Sequence, residues 1–218
     1  MAEDWSAHLE REERRYRDGE ERIPDDPDER QRQLTRMGNA AGGAGLSLLM
    51  AGDRERAAEW FDRAARRYRE SYELAPPESW GRPIGAIKSR ILAGDWGGAG
   101  DEARWALAEG AAEADSPIGR YAGALALLTL HDYEAARPVA DSLRERDDFP
   151  HDVADALATL AAEDVLGYTY AVESVLESFA TRDAYLEDMP VADTVIVLQA
   201  LAGRRDMAAQ LTSPLLPG

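Results

Sequence analysis

The residues that could do chemistry are few, and their spacing does not favour it. Three histidines, His8, His131 and His151, stand far apart and cysteine is absent, so disulfides and thiolate metal sites are both excluded. His131-Asp132 and His151-Asp152 have the composition of an acid–base pair or of half a metal site. Neither has a further ligand at helical spacing, and both fall where a helix should begin, so the aspartates read as caps. GNAAGGAG, residues 38 to 45, has the glycines of a phosphate-cradling loop but lacks the lysine–hydroxyl ending and a preceding strand. Close helix packing explains it better. Lys88 is the sole lysine beside 24 arginines. Its methylenes could lie along apolar neighbours with the ammonium in water, or it could anchor a carboxylate on a bound segment. With no paired carboxylates and no nucleophile constellation, the expectation is a protein that is not an enzyme and holds neither metal nor cofactor.

The elements that would position these residues are constrained by composition. A chain of 218 residues suffices for one large domain or a continuous repeat array. Its 42 acidic and 25 basic residues give a net charge of −17. Acid excess with almost no lysine is a halophilic composition, typical of cytoplasmic proteins that work in strong salt, although arginine and alanine richness also follows from a GC-rich genome. The sign opposes non-specific binding to nucleic acid or anionic membranes. No secretory leader is visible and the least charged run, MGNAAGGAGLSLLMAG, is short and glycine-rich, so a cytoplasmic protein without a membrane span is expected. Residues 1 to 100 carry 20 acidic and 17 basic groups, and residues 101 to 218 carry 22 and 8. The back half holds most of the field, either as a solvated surface or as an acidic docking face.

Residues 1–26 read as a charged N-terminal helix or arm, closed by the breakers Pro24 and Pro27. From 27 to 218 the pattern is helix, short turn, helix, with no alternating strand segment. Ala51-Gly52-Asp53-Arg54 and Ala93-Gly94-Asp95-Trp96 are near copies, Leu130-His131-Asp132-Tyr133 is looser, and Ala202-Gly203-Arg204-Arg205-Asp206 looser still. In such a turn glycine takes the left-handed helix end and aspartate caps the next helix. Within GDRERAAEWFDRAARRY (52 to 68), Ala57, Phe61, Ala64 and Tyr68 share one face. Glu59 with Arg63 and Asp62 with Arg66 are spaced for ion pairs on the outside. Arg63 and Arg67 are expected to face solvent.

Recurrences of 42 and then 37 residues between these turns lie in the range of helical-repeat proteins. The chain resembles the tetratricopeptide-repeat (TPR) family: Ala57, Phe61 and Ala64 match its second helix, Gly45 its glycine, and Leu48 and Ala44 its tyrosine and leucine, with Ala41 in place of the tryptophan. Ala99, Ala103 and Ala106, then Ala136, Ala140 and Leu143, repeat the spacing. The resemblance covers most of residues 38 to 145 and implies an all-α, TPR-like α-solenoid of about four to five helical hairpins, the fourth near 151 to 180 and an incomplete fifth near 190 to 211 matching by helical rhythm only. In the family's phase the inner face would carry Leu46, Leu49, Met50, Ile84, Lys88, Ile91, Tyr121, Leu125 and Leu128. An apolar stripe of this length marks an interface. A partner fills it, the chain's own ends fill it, or the helices are buried all round. The resemblance thus implies a non-catalytic protein–protein interaction module binding a peptide or protein partner through an apolar concave groove, with homo-oligomerisation also open. The alternative is an acidic inhibitor or immunity-type protein that occludes the basic active surface of a toxin or nuclease.

Overall fold

The computed structural model describes residues 4–218, and all regular structure among them is helical. Ten α-helices follow one another: α1 (Trp5–Glu20), α2 (Pro27–Met50), α3 (Arg54–Tyr72), α4 (Gly81–Leu92), α5 (Trp96–Ala108), α6 (Pro117–Thr129), α7 (Tyr133–Arg144), α8 (His151–Ala162), α9 (Val165–Ala180) and α10 (Asp193–Gly203). Single 3-10 turns lie at Ala111–Glu113 and Leu186–Asp188. Short acceptor side chains set where most helices start. Asp4, Asp26, Asp53, Asp95, Ser116, Asp132 and Asp164 each accept a bond from the backbone N–H three residues on, which satisfies a donor the helix cannot use internally. Asp152 differs from the expected cap. Pro150 occupies the cap position and Asp152 lies in the first turn of α8, where its charge still suits the positive helix end.

One turn geometry recurs. At Gly52-Asp53, Gly94-Asp95, His131-Asp132 and Glu163-Asp164 the first residue is left-handed, with φ of 86°, 73°, 62° and 60°. Its N–H donates to the carbonyl three residues back, and the aspartate N–H to the carbonyl five back. This closes one helix while the aspartate side chain opens the next. The expected copy at Ala202-Gly203-Arg204-Arg205-Asp206 closes its helix, the Met207 N–H donating to the Ala202 carbonyl five back, but opens no other. Asp206 is itself left-handed and no helix follows it. Gln199 instead clamps the tail, donating through Nε2 to the Ala209 carbonyl (2.6 Å) and accepting the Ala209 N–H (3.1 Å), and Pro214 and Pro217 come shortly after. The last unit is one helix and an irregular tail.

From α1 to α9 each helix packs on the next, and α2, α4, α6 and α8 also touch in succession, forming an inner row. Small residues permit the close approach. A Cβ placed on Gly45 would lie 2.7 Å from the Phe61 ring, so only glycine lets α2 seat that fully buried aromatic of α3. Ala99, Ala103, Ala106, Ala136 and Ala140 are wholly buried in the main core. Helix α1 packs on α2 and sinks Glu12 completely, with Arg11 (2.7 Å) and Arg15 (2.8 Å) on its carboxylate. Arg67 corrects the expectation of a solvent-facing side chain: it donates to the Tyr16 hydroxyl (3.1 Å) and to Glu20 (2.9 Å), tying α3 to α1. On the outer face Asp62 pairs with Arg66, while Arg63 lies over the Trp60 ring at 4.3 Å. Among the described residues no helix is long and apolar enough to cross a membrane.

Candidate functional site

Helix α10 does not extend the succession of helices but turns back onto α4, α8 and α9. The residues from 181 to 205 thereby cover the inner row, and their docking is built from both apolar and charged contacts. Leaving α9, the chain passes through Glu187 and Asp188, both left-handed (φ 56° and 53°) without being glycine. Such conformations persist only where surrounding contacts over-determine them. Here Glu187 is held on three sides. Its carboxylate accepts from Arg15 Nη2 (2.5 Å) and Asn39 Nδ2 (2.9 Å), and its carbonyl accepts from Arg11 Nη2 (2.9 Å). Asn39 is oriented in turn by the Tyr68 hydroxyl, which donates to its Oδ1 at 2.9 Å. Burial pushes the Glu187 pKa up, but the bonds from Arg15 and Asn39 outweigh it and leave the carboxyl below its ordinary value. Burial, with Asp193 and Glu187 adding to it, holds the Tyr68 phenol protonated far above its usual range.

Six residues on, Lys88 Nζ of α4 donates to Asp193 Oδ2 (2.5 Å) and Thr194 Oγ1 (3.1 Å). Asp193 opens α10, so its carboxylate is favoured both by Lys88 and by the positive end of the helix that carries it. Burial alone would lower the Lys88 pKa; the Asp193 carboxylate more than offsets this and raises it. Beyond the pair, Met189 is buried with the Ser47 hydroxyl near its sulfur, and Ile196 packs on the cluster of Leu48, Leu49, Ala57 and Phe61. The far end of α10 is fixed by arginines. Arg205 Nη1 donates to the Leu160 and Ala161 carbonyls (2.5 and 2.8 Å), closing the C-terminus of α8, and lies over the Tyr133 ring. Arg204 lies over Trp96 and donates to His131 Nε2 at 2.8 Å. Burial and the Arg204 charge both lower the His131 pKa.

Two cavities of about 350 and 360 Å³ remain beside this segment, and they share Leu46, Lys88, Met189 and Asp193. The Lys88–Asp193 pair therefore stands between them. Of the nine inner-face positions expected from sequence, Leu46, Ile84 and Lys88 line the first cavity, and Leu46, Lys88 and Tyr121 the second. Leu49, Ile91, Leu125 and Leu128 correct the expectation of an open stripe: they are 4 %, 3 %, 1 % and 2 % exposed. An inner-row helix has neighbours in the row and outer helices behind, and α10 lies against α4 and α8, so these four side chains are consumed by packing. Met50 is half-buried and lines neither cavity.

Glu187, Asp193, Asn39 and Tyr68 carry the site's polar contacts and are absent from the sequence-based set. Their partners lie 172, 105, 148 and 29 residues away along the chain, a separation that no local pattern signals. Among the described residues no group of three or more histidines or carboxylates is placed to hold a metal ion. Chemically, the arrangement fixes a helix, with Glu187 paired to Arg15 and Asp193 to Lys88. Comparison with protein-family models, with curated proteins and with solved structures gives no match for the chain.

Proposed function

We propose that the chain is a TPR-like helical-repeat module that binds a helical segment of a protein partner on its inner face, and that its own α10 occupies this place when no partner is bound. The observation that supports this is the docking of α10 itself. The inner row accepts an apolar helix whose first residue is an aspartate on Lys88, which is recognition of a helix in a groove with a charged anchor. A partner of the same chemistry, an apolar helix preceded by carboxylates, competes for the same contacts. Because α10 is tethered to its site, its high effective concentration keeps the partner out unless the partner binds more tightly or the tether is loosened.

The reading is tested by anisotropy with a labelled peptide of residues 183–207 titrated with two full-length proteins. Asp193→Ala protein has lost its internal bond to Lys88, whereas the peptide keeps the aspartate. The Asp193→Ala protein should bind the peptide at least about tenfold more tightly than wild type, the ratio that about 1.4 kcal/mol provides. Equal or absent binding by both proteins, with helical content retained, would sink the proposal.

A further inference from the structure

The first cavity has a chemical character that the docking of α10 does not use. Its walls are largely apolar, from Leu46, Phe61, Ile84, Leu92 and Met189, and its volume of about 350 Å³ lies at the lower end of small-molecule sites. Part of the space exists because α2 carries glycine where a side chain would intrude. A Cβ built on Gly42 meets no atom within 4 Å, although Gly42 is half-buried and alanine is the better helix former by about 1 kcal/mol. Its neighbours Gly38, Gly43 and Gly45 in the same helix are each crowded by Tyr68, Glu12 or Phe61, so packing accounts for them. It does not account for Gly42.

Four charged side chains line this cavity: Arg82, Lys88, Glu187 and Asp193. Three are balanced. Lys88 pairs with Asp193, and Glu187 with Arg15 from behind the wall. Arg82 is not. Its Nε donates to the Ser71 hydroxyl (3.2 Å) and its Nη2 to the Gln31 side-chain amide oxygen Oε1 (2.5 Å), both neutral acceptors. Among the described residues no carboxylate lies within ion-pair distance of it, and its Nη1 has no protein acceptor. Half-burial without a counter-charge lowers its pKa, desolvation being the only cause. In a chain of net charge −17, where most half-buried arginines reach an acid, a lone desolvated guanidinium facing an apolar cavity is complementary to one bound anion.

We infer that the cavity between α2, α4 and the Glu187–Asp193 segment is a binding site for a small amphipathic monocarboxylate, with its carboxylate on Arg82 and its apolar chain along Leu46, Ile84 and Leu92 in the space left by Gly42. The site stands apart from the proposed replacement of α10 by a partner, since it is formed with α10 in place. Glu187 and Asp193 exclude a second anionic group further in, which selects a single charged head and an apolar tail. Ligand binding would also steady the C-terminal segment, because Met189 and Asp193 form part of the wall.

Octanoate is the probe, titrated calorimetrically into the full-length protein, with octylammonium as the charge-reversed control of equal chain length. Octanoate should bind at one site per chain and at least about tenfold better than octylammonium, and Arg82→Gln should weaken it about tenfold or more. Gly42→Leu should abolish binding by filling the cavity while the melting temperature stays level or rises. Gly42→Ala, which meets no atom, serves if the leucine does not fold, and should reduce affinity without loss of stability. Absence of saturable octanoate binding, equal binding of octylammonium, or unchanged affinity in folded Arg82→Gln would each overturn the assignment.

Discussion

At the scale of single residues, the C-terminal segment is held by charges that are matched across long stretches of chain. Glu187 is the clearest case, because its backbone is in a conformation a glycine would favour and it keeps that conformation through Arg11, Arg15 and Asn39. Its folded-state pKa lies below the ordinary 4.5, the hydrogen bonds from Arg15 and Asn39 overcoming the upward push of burial. A depressed carboxyl contributes stability that is fully present above its unfolded-state value and is lost as pH falls through the folded value. Wild type should therefore exceed Glu187→Gln in melting temperature at neutral pH, with the difference shrinking once the pH drops below about 4.5. A difference that does not change between pH 7 and 3 would mean that the ion pair with Arg15 is not formed. The expectation for Lys88 narrows in the same way: it anchors a carboxylate, and that carboxylate is Asp193 of its own chain.

At the scale of elements, one turn is used four times, with a left-handed residue followed by a capping aspartate. Two copies spend a glycine on the left-handed position and two spend His131 and Glu163. A left-handed non-glycine residue is strained by roughly 1–2 kcal/mol. Glu163 is exposed and bonds Arg205 only at the surface, so Glu163→Gly should raise stability to denaturant by about 1 kcal/mol after its unfolded-state entropy is deducted. A loss instead would show that the Arg205 contact matters more than the backbone. The same turn explains what was legible in the sequence. Gly52-Asp53 and Gly94-Asp95 state their geometry in their residue types, and the alanine and aromatic spacing of α3 states its buried face. Glu163-Asp164 carries no glycine and passes unnoticed. Ala202-Gly203-Arg204-Arg205-Asp206 has the right letters, but Gln199 and the prolines send the tail elsewhere. The same limit applies to Leu49, Ile91, Leu125 and Leu128. Their apolar character is plain, yet whether such a face meets water, a partner or another helix depends on where residues distant in the chain come to lie.

At the scale of the whole molecule, two features oppose each other. The acidic excess, concentrated behind residue 100, repels itself at low ionic strength and opposes compaction. The melting temperature should rise as KCl is added, and a curve independent of salt would remove the halophilic interpretation of the composition. Against that repulsion, the C-terminal segment binds the chain's beginning, middle and end into one arrangement, through Arg11 and Arg15 of α1, Lys88 of α4, and His131 with Leu160 and Ala161 beside α6 and α8. That closure by the segment around α10 has a direct test. In a methyl-labelled, full-length sample in molar KCl, nuclear Overhauser contacts are measured from the Ile196 methyl groups. Cross-peaks to at least one of Leu48, Leu49, Ala57 and Phe61 are predicted, since Ile196 packs on that cluster. Their absence from a protein that still shows the Leu48–Phe61 contacts would mean that α10 does not dock on the inner row, and the closed arrangement would be contradicted.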